Sequence, residues 1–471
     1  MTNNTNEWKL IKGCYTPKDT NLKNKYIQLV KIFAPVVYFD PMETFFPVDL
    51  PSTVTASSLY KVDGKPYEEK ATQIKAKVTS ADLDSADSNH FTTIVGWNSE
   101  KRTISGDPPT EITMPTPKIK EIQNDYSTGK VPAKLTMYAT ICKPKEVPNY
   151  NFLESWPPRI GLKYLQEGLL LNYYFYFPAM VSAEHNHEGD WSGISILFGK
   201  EPDTDRNQLK TLLEDMKAVW TCYYRKMNDL MVGYDVGIRT WEQVSKVNDL
   251  TTNLDTHPKV YISLGRHNCY YEPVNVNLAV TPKWESSTDP SKIEKGEYNP
   301  PDSNTIVGSS DLSSPWWLYA LMPWMLFFEA CGATCKFDSS GLKGGYSDVN
   351  DSVKSGGYEG APDSTQQGKT SASDSYPSGK PTSGQPVNLK LNTVYVDLYD
   401  KTMKEIWKYK GSWGAAEVNE YEYWTEDRDG NKEYSKSRWG IFKGFERPNL
   451  SSWFMWNLYW NVGFGSIGWS I

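Results

Sequence analysis

The sequence lacks the apolar runs that identify a secretion signal or a membrane-spanning helix. Its start, MTNNTNEWKLIKG, has no charged segment followed by the apolar stretch of a secretion signal. We therefore expect synthesis in the cytoplasm, with release by lysis or by a specialised route. The most apolar segment, PWWLYALMPWMLFF at 315–328, has 14 residues and contains Pro323. A membrane-spanning helix needs about 20 residues, so this segment does not qualify as one.

Basic stripes and CxxC pairs are also missing. The formal net charge is -7, with no cluster of Lys and Arg suited to phosphates, so nucleic acid is excluded as the expected partner. The six cysteines are scattered and none forms a CxxC pair, which argues against a disulfide scaffold and a zinc ribbon. We expect most of them to be reduced and buried.

Aromatic residues are abundant instead, and they favour strands. They make up 14% of the chain, whereas helical apolar periodicity is scarce. The segments APVVYFDPMETFFPVDL (34–50) and NTVYVDLYD (392–400) alternate like strands, and Asp429-Gly430 is typical of a hairpin turn. The clearest helical stretch runs from Asp205 to about Met227, with apolar residues at steps of three and four. The sequence predicts a mainly β fold.

Composition divides the chain into segments. We expect an N-terminal extension at 1–30 and the first part of the β core at 31–337, with a helical insertion at about 205–250. Residues 338–388 are rich in Ser, Gly, Asp and Pro, which predicts a surface loop or flexible insertion. The core then resumes at 389–471 and ends in an aromatic tail.

Imidazoles and carboxylates concentrate between two expected strands, in NYYFYFPAMVSAEHNHEGDWSGISILF (172–198). His185 and His187 point to the same side of an extended chain, so both can reach one divalent ion, with Asp190 and Glu188 as oxygen donors. His267 ends another expected strand, HPKVYISLGRHNCYY (257–271), and is the further candidate. The alternative from spacing alone is a hydrogen-bonded loop without an ion.

Five short motifs, in this order, resemble the Vps62-like family, a domain of unknown function in plants, fungi and bacteria. They are APVVYFDPMETFFPVD (34–49), NYYFYFP (172–178), HEGDWSGISILF (187–198), PKVYISLGRHNCY (258–270) and RWG (438–440). The family pattern H-x-G-D-W-E is matched by His187, Gly189, Asp190 and Trp191, whereas Ser192 stands in place of the Glu. The resemblance implies a β-sandwich core, jelly-roll-like, and no established reaction.

The same segment is distantly similar to the GHRHDWE heptapeptide of the necrosis-inducing, cytolytic NLP proteins, in which His and acidic side chains hold a divalent ion at a plant membrane. This likeness implies metal binding by His185, His187 and Asp190, with Glu188 as a substitute for the missing trailing Glu.

These patterns leave three functions open. The first is a non-enzymatic, membrane-directed or toxin-like binding protein with a divalent-metal site, whose partner is a membrane lipid or a surface receptor. The second is a metal-dependent hydrolase, in which Glu188 or His267 moves the proton. The third is a structural or storage protein that self-associates through Tyr and Trp. The candidate residues for membrane or partner contact, which are equally suited to a core, are Trp316, Trp317, Trp324, Trp453, Trp456 and Trp460.

Overall fold

The structure is a computed structural model. It describes residues 8–11, 14–39, 43, 45–63, 70–104, 110–132, 134–144, 167–180, 187–200, 216–224, 238–250, 253–262, 267–271, 387–389, 391–415, 420–426, 432–438, 446–452 and 454–455. The fold is mainly β, which confirms the fold class predicted from the aromatic and β-branched composition.

The described strands are β1 (Trp8–Ile11), β2 (Cys14–Pro17), β3 (Val36–Phe39), β4 (Ser58–Asp63), β5 (Lys70–Lys75), β6 (His90–Thr93), β7 (Trp97–Ile104), β8 (Thr110–Pro117), β9 (Thr136–Cys142), β10 (Leu169–Met180), β11 (His187–Phe198), β12 (Ala218–Tyr223), β13 (Ile238–Thr240), β14 (Lys246–Asp249), β15 (Leu254–Ile262), β16 (Cys269–Tyr270), β17 (Val387–Leu389), β18 (Asn392–Tyr395), β19 (Ser412–Trp413), β20 (Glu420–Glu426) and β21 (Lys432–Arg438).

The described helices are short, and several begin with an aspartate cap. They are α1 (Thr20–Ile32), α2 (Leu50–Ala56), α3 (Ser80–Asp84), α4 (Ile119–Ser127) and α5 (Lys401–Lys408). Asp19, Asp49 and Asp400 each accept a hydrogen bond from a backbone N–H in the first turn of α1, α2 and α5. Such caps satisfy donors that a helix start leaves without a partner.

The main sheet has eight strands in the order β1-β2-β9-β10-β11-β12-β13, with β18 beside β9. A second sheet has the order β14-β15-β3-β17, with β16 beside β15, and a third has the order β19-β6-β4-β5. β7 pairs with β8. β20 pairs with β21, which confirms the predicted hairpin, whereas its turn at Asp429-Gly430 lies outside the described residues. Most of these pairs are antiparallel.

Each face of the main sheet covers its own hydrophobic core. The inter-sheet core contains Tyr173, Phe175 and Phe177 of β10 together with residues of α1, β3 and β15. The helix-side core contains Tyr174 and Tyr176 of β10 together with residues of α2, α3, α4 and α5. Successive side chains of a strand point to opposite faces, which is why one strand serves both cores. Residues of the second sheet therefore pack on one face of the main sheet; the sandwich and its jelly-roll detail stay predictions.

Two predicted segments differ from the structure. Residues 1–30 are not a separate extension where they are described, because β1 and β2 join the main sheet and Leu22 and Leu29 of α1 lie in the inter-sheet core. The helix predicted to reach about Met227 is wrong over Ala218–Tyr223, which is β12 and pairs with β11. β13 and β14 likewise lie inside the expected helical insertion at 205–250.

Other predictions fall partly outside the described residues. Residues 205–215, 272–386 and 456–471 are not described, so most of the helical stretch, the Gly/Ser-rich segment and most of the aromatic tail stay predictions. The described part of the tail begins in the core, because Phe454 and Met455 are buried. No helix in the described ranges combines the length and the apolar character needed to cross a membrane.

Candidate metal-binding cluster

The hairpin of β10 and β11 carries the motif that the sequence singled out. Both strands are buried along their whole length, and Phe177 lies opposite Asp190 while Ala179 lies opposite Glu188. Phe177 belongs to the inter-sheet core, but Ala179, two residues later, belongs to the helix-side core. The strict alternation of faces is therefore broken between these two pairs.

Gly189 explains the break. Its φ is +70°, a left-handed conformation that glycine adopts without steric cost. A Cβ atom at Gly189 would lie 2.5 Å from the carbonyl oxygen of Trp413, so the position also requires glycine for space. As a result His187 and Asp190, three residues apart, come to the same side of β11, and Glu188 points away from them.

Asp190 and His267 form the centre of the cluster. The Nδ1–H of His267 donates to Oδ2 of Asp190 at 2.8 Å, and the backbone N–H of Trp191 donates to Oδ1 at 2.8 Å. Both side chains are fully buried, and the His267 ring stacks on Phe177 with 3.8 Å between ring centroids. His267 has a φ of +57°, in the left-handed region that is uncommon for a non-glycine residue. The fold thus holds this imidazole in one orientation.

Glu43 approaches the other side of the His267 ring. Its Oε2 lies 3.4 Å from Nε2 of His267, and its Oε1 accepts a hydrogen bond from the N–H of Phe45 at 2.9 Å. The geometry does not make a hydrogen bond at Nε2, which is a buried nitrogen without a hydrogen-bond partner. The sequence drew attention to the segment 34–50 as strand-like but did not select Glu43 as a site residue.

His187 completes the group. Its Nδ1 lies 3.0 Å from the carbonyl oxygen of Gly189, which is a hydrogen bond if the proton is on Nδ1. That tautomer places the lone pair on Nε2, which lies 3.1 Å from Sδ of Met180 and 4.0 Å from Oδ1 of Asp190. We call Glu43, His187, Asp190 and His267 the imidazole–carboxylate cluster.

The charge of the cluster is set by two carboxylates around one ring. Burial by itself lowers the pKa of His267, but the charge of Glu43 and the hydrogen bond to Asp190 together outweigh it and raise the pKa above 6.5. The charged imidazolium form of His267 is therefore favoured between Glu43 and Asp190.

Glu188 does not join the cluster. Its Oε2 accepts a hydrogen bond from the Thr93 hydroxyl at 2.5 Å, and its Oε1 accepts from the N–H of Ile94 at 2.6 Å. Its backbone N–H donates to the carbonyl of Ala415 at 2.8 Å. Glu188 therefore ties β11 to the end of β6 and to the residues after β19, and the structure does not support it as a ligand.

The next residues of the motif are core residues. Trp191 packs in the helix-side core, in ring contact with Tyr174, Tyr176 and Trp413. The hydroxyl of Ser192 lies 3.0 Å from the thiol of Cys269, and both side chains are buried. The position where the family pattern has a Glu thus lies against the sulfur of Cys269.

Among the described residues no group of three or more His, Cys, Asp or Glu side chains is arranged to hold a metal ion. One pair of donor atoms nevertheless has a separation close to that of two ligands of one ion. Two ligands of a tetrahedral ion, each about 2.0–2.1 Å from it, lie about 3.3 Å apart, and Nε2 of His267 lies 3.4 Å from Oε2 of Glu43. The hydrogen bond from Nδ1 of His267 to Asp190 is the support that metal-bound histidines usually have.

The predicted site residues thus have different outcomes. The structure brings His187, Asp190 and His267 together, adds Glu43 and separates Glu188. His185 and the six tryptophans proposed for membrane or partner contact lie outside the described residues: Trp316, Trp317, Trp324, Trp453, Trp456 and Trp460.

Comparison with known proteins found no matching family model, no matching curated protein and no matching solved structure.

Proposed function

We propose that this protein acts by binding, as a non-enzymatic, toxin-like β protein directed to a membrane lipid or a surface receptor, with one divalent ion in the imidazole–carboxylate cluster. The observation that carries the proposal is the chain of contacts from Asp190 through the His267 ring to Glu43. One nitrogen of the imidazole is oriented by a carboxylate, and the other, without a hydrogen-bond partner, faces a second carboxylate at a separation suited to two ligands of one ion.

The donor types support a borderline ion. Imidazole nitrogen combined with carboxylate oxygen suits zinc, manganese or iron, whereas calcium and magnesium prefer oxygen ligands alone. His187 and His185 are the proposed additional nitrogen donors, and water completes the coordination of many such ions. In this arrangement Glu43 supplies the second carboxylate, whereas position 192 is a serine.

Burial supports a structural ion over a hydrolytic one. The four side chains of the cluster are between 0% and 3% exposed, so a substrate has no open face at which to meet the ion. Catalytic zinc sites keep a position for water and substrate, whereas structural sites are closed. Glu188, the first proton carrier considered for a hydrolase, is bonded to Thr93 and Ile94.

The metal part is tested by elemental analysis and by titration of the chelator-treated protein with Zn²⁺ and Mn²⁺. We expect about one ion per chain and loss of binding in His267→Ala. The matched control is His257→Ala, because His257 also bonds a carboxylate, Asp249 at 3.0 Å, but lies in β15 away from the cluster. Equal metal content in wild type, His267→Ala and His257→Ala would remove the site.

The membrane part rests on the aromatic segments at 315–328 and 451–471 and on the family resemblance. We expect the metal-loaded protein to sediment with liposomes or to release their contents, and the double variant Trp316→Ser/Trp317→Ser to do so less. Concentration-dependent assembly without liposome binding would instead support the self-associating protein. Hydrolysis of an ester or phosphoester panel that chelator abolishes would support the enzyme.

A further inference from the structure

The first hairpin of the chain brings a cysteine to the edge of the main sheet. Tyr15 of β2 pairs with Ile141 of β9 in an antiparallel ladder. In an antiparallel ladder, one step back along the first strand matches one step forward along the second. Cys14, which precedes Tyr15, therefore lies opposite Cys142, which follows Ile141. Both thiols are fully buried and neither is in a disulfide.

The two thiols share a face of the sheet. Met137, Ala139 and Ile141 of β9 point into the inter-sheet core, so Cys142 points to the other face, where Cys14 belongs to the helix-side core. Directly opposite residues in an antiparallel pair have Cβ atoms about 4.5–5.5 Å apart, close to the separation of about 3.5–4.5 Å in a disulfide. The electrostatic influence of Cys142 on Cys14 agrees with this proximity.

We propose that Cys14 and Cys142 are a modification site, at which a small-molecule disulfide such as oxidised glutathione converts them into one cross-strand disulfide. The bond would link β2 covalently to β9. It would thereby protect the end of β9 around Ile141, beyond the part that β18 pairs with, where a detached hairpin leaves backbone groups open to pairing with another chain. In reducing surroundings the two thiols remain as the structure has them.

The reaction requires the hairpin to detach. Burial raises the pKa of the Cys14 thiol, so the docked thiol is a poor nucleophile. Contacts that dock the hairpin include the Cys14 thiol, 3.9 Å from the carbonyl of Val396, the Thr16 hydroxyl, which donates to the same carbonyl at 3.3 Å and accepts from the N–H of Leu398 at 3.0 Å, and the Tyr395 hydroxyl, which donates to the carbonyl of Tyr15 at 3.1 Å. When these open, Cys14 meets water at the edge of the sheet.

The exchange then proceeds in two balanced steps. The Cys14 thiolate attacks one sulfur of oxidised glutathione, which forms a mixed disulfide and releases one glutathione thiolate. As the hairpin returns, and before both sulfurs are buried again, the Cys142 thiolate attacks the Cys14 sulfur and releases the second glutathione. Two protein thiols have then been oxidised, one small disulfide has been reduced to two thiols, and the two protons have gone to solvent or to the released thiolates.

The test exposes the folded full-length protein to oxidised glutathione, blocks the remaining thiols and maps peptides under non-reducing conditions. We expect a Cys14–Cys142 cross-link, loss of two hydrogen atoms from the intact mass, and a Tm higher by about 5 °C than that of the reduced protein. Cys14→Ser and Cys142→Ser should each abolish the cross-link. The matched control is Cys222→Ser, which removes another buried strand cysteine and should leave it intact.

Peptide mapping of the wild type decides the matter even if a serine variant folds poorly. Both cysteines recovered with the blocking group, glutathione left on one of them, or a cross-link from either to another cysteine would each overturn the proposal. Metal content does not enter this test, so its failure leaves the proposed metal site untouched.

Discussion

Replacing Asp190 with alanine is expected to lower the free energy of unfolding by about 3–5 kcal/mol, because the buried His267 ring loses the nearer of its two carboxylates and a buried backbone N–H loses its acceptor. The carboxylate accepts hydrogen bonds from the His267 ring and from the N–H of Trp191, and all three groups are buried. Alanine leaves both donors in a site that water cannot reach. Chemical denaturation of the chelator-treated protein measures the loss without a contribution from bound metal.

The control for Asp190→Ala is Asp249→Ala. Asp249 also pairs with a histidine, His257 at 3.0 Å, but their side chains are 13% and 18% exposed, so solvent replaces the lost partner. We expect a loss of about 1 kcal/mol or less there. Equal losses in the two variants would mean that the Asp190–His267 pair contributes no more than a partly exposed pair does.

Much of the β structure follows from local sequence. Val36–Phe39 and Leu254–Ile262 are rich in β-branched and aromatic residues, and both form strands of the second sheet. Leu169–Met180 and His187–Phe198 form the predicted pair of strands around a polar segment. Long segments with a strong β preference form strands with little dependence on distant contacts, so they can be predicted from the sequence alone.

The segment around Val219 and Trp220 shows where this reading fails. The leucines before it have helical spacing, but Val, Trp, Thr and Tyr in Ala218–Tyr223 are residues that strands favour. Pairing with β11 favours the strand over the helix at Ala218–Tyr223, because β11 is buried and offers backbone groups along its free side. Periodicity alone could not show that this partner was present.

The candidate site was predicted in part. His187 and Asp190 were selected because they are close in sequence, and His267 because it ends a strand; the structure brings the three together. Glu43 comes from a segment more than a hundred residues away, and one acidic residue among 57 carries no local mark of its role. The sequence offered only its place in the strand-like segment 34–50.

The error over Glu188 has a definite cause. In a regular strand Glu188 and Asp190 share a face, which made them a natural pair of oxygen donors. The left-handed conformation of Gly189 turns the chain between them, so that Asp190 faces His267 and Glu188 faces Thr93. A glycine in a strand is a signal of such a turn, but the close approach of Trp413, which leaves no room for a side chain at Gly189, comes from a distant part of the sequence.

The stability of the wild-type protein is expected to fall, relative to Glu188→Gln, as the pH rises from about 4.5 to about 7. Burial raises the pKa of Glu188 from 4.5 to about 7, although hydrogen bonds from Thr93 and Ile94 oppose the shift. Between these two pH values the folded protein binds a proton at Glu188 that the unfolded chain has released. Raising the pH therefore favours unfolding, and the full difference amounts to about 3 kcal/mol.

Glu188→Gln isolates this contribution because its side chain is neutral at every pH. The amide oxygen can accept a hydrogen bond from the N–H of Ile94, and the amide nitrogen can donate one to the Thr93 hydroxyl. The glutamine side chain can therefore form a hydrogen bond to each residue that the carboxyl group contacts. Denaturation curves of both proteins at several pH values, with chelator present, give the difference directly. His267 titrates in both proteins and cancels, so parallel pH profiles would show that the Glu188 carboxyl group has an ordinary pKa in the folded state.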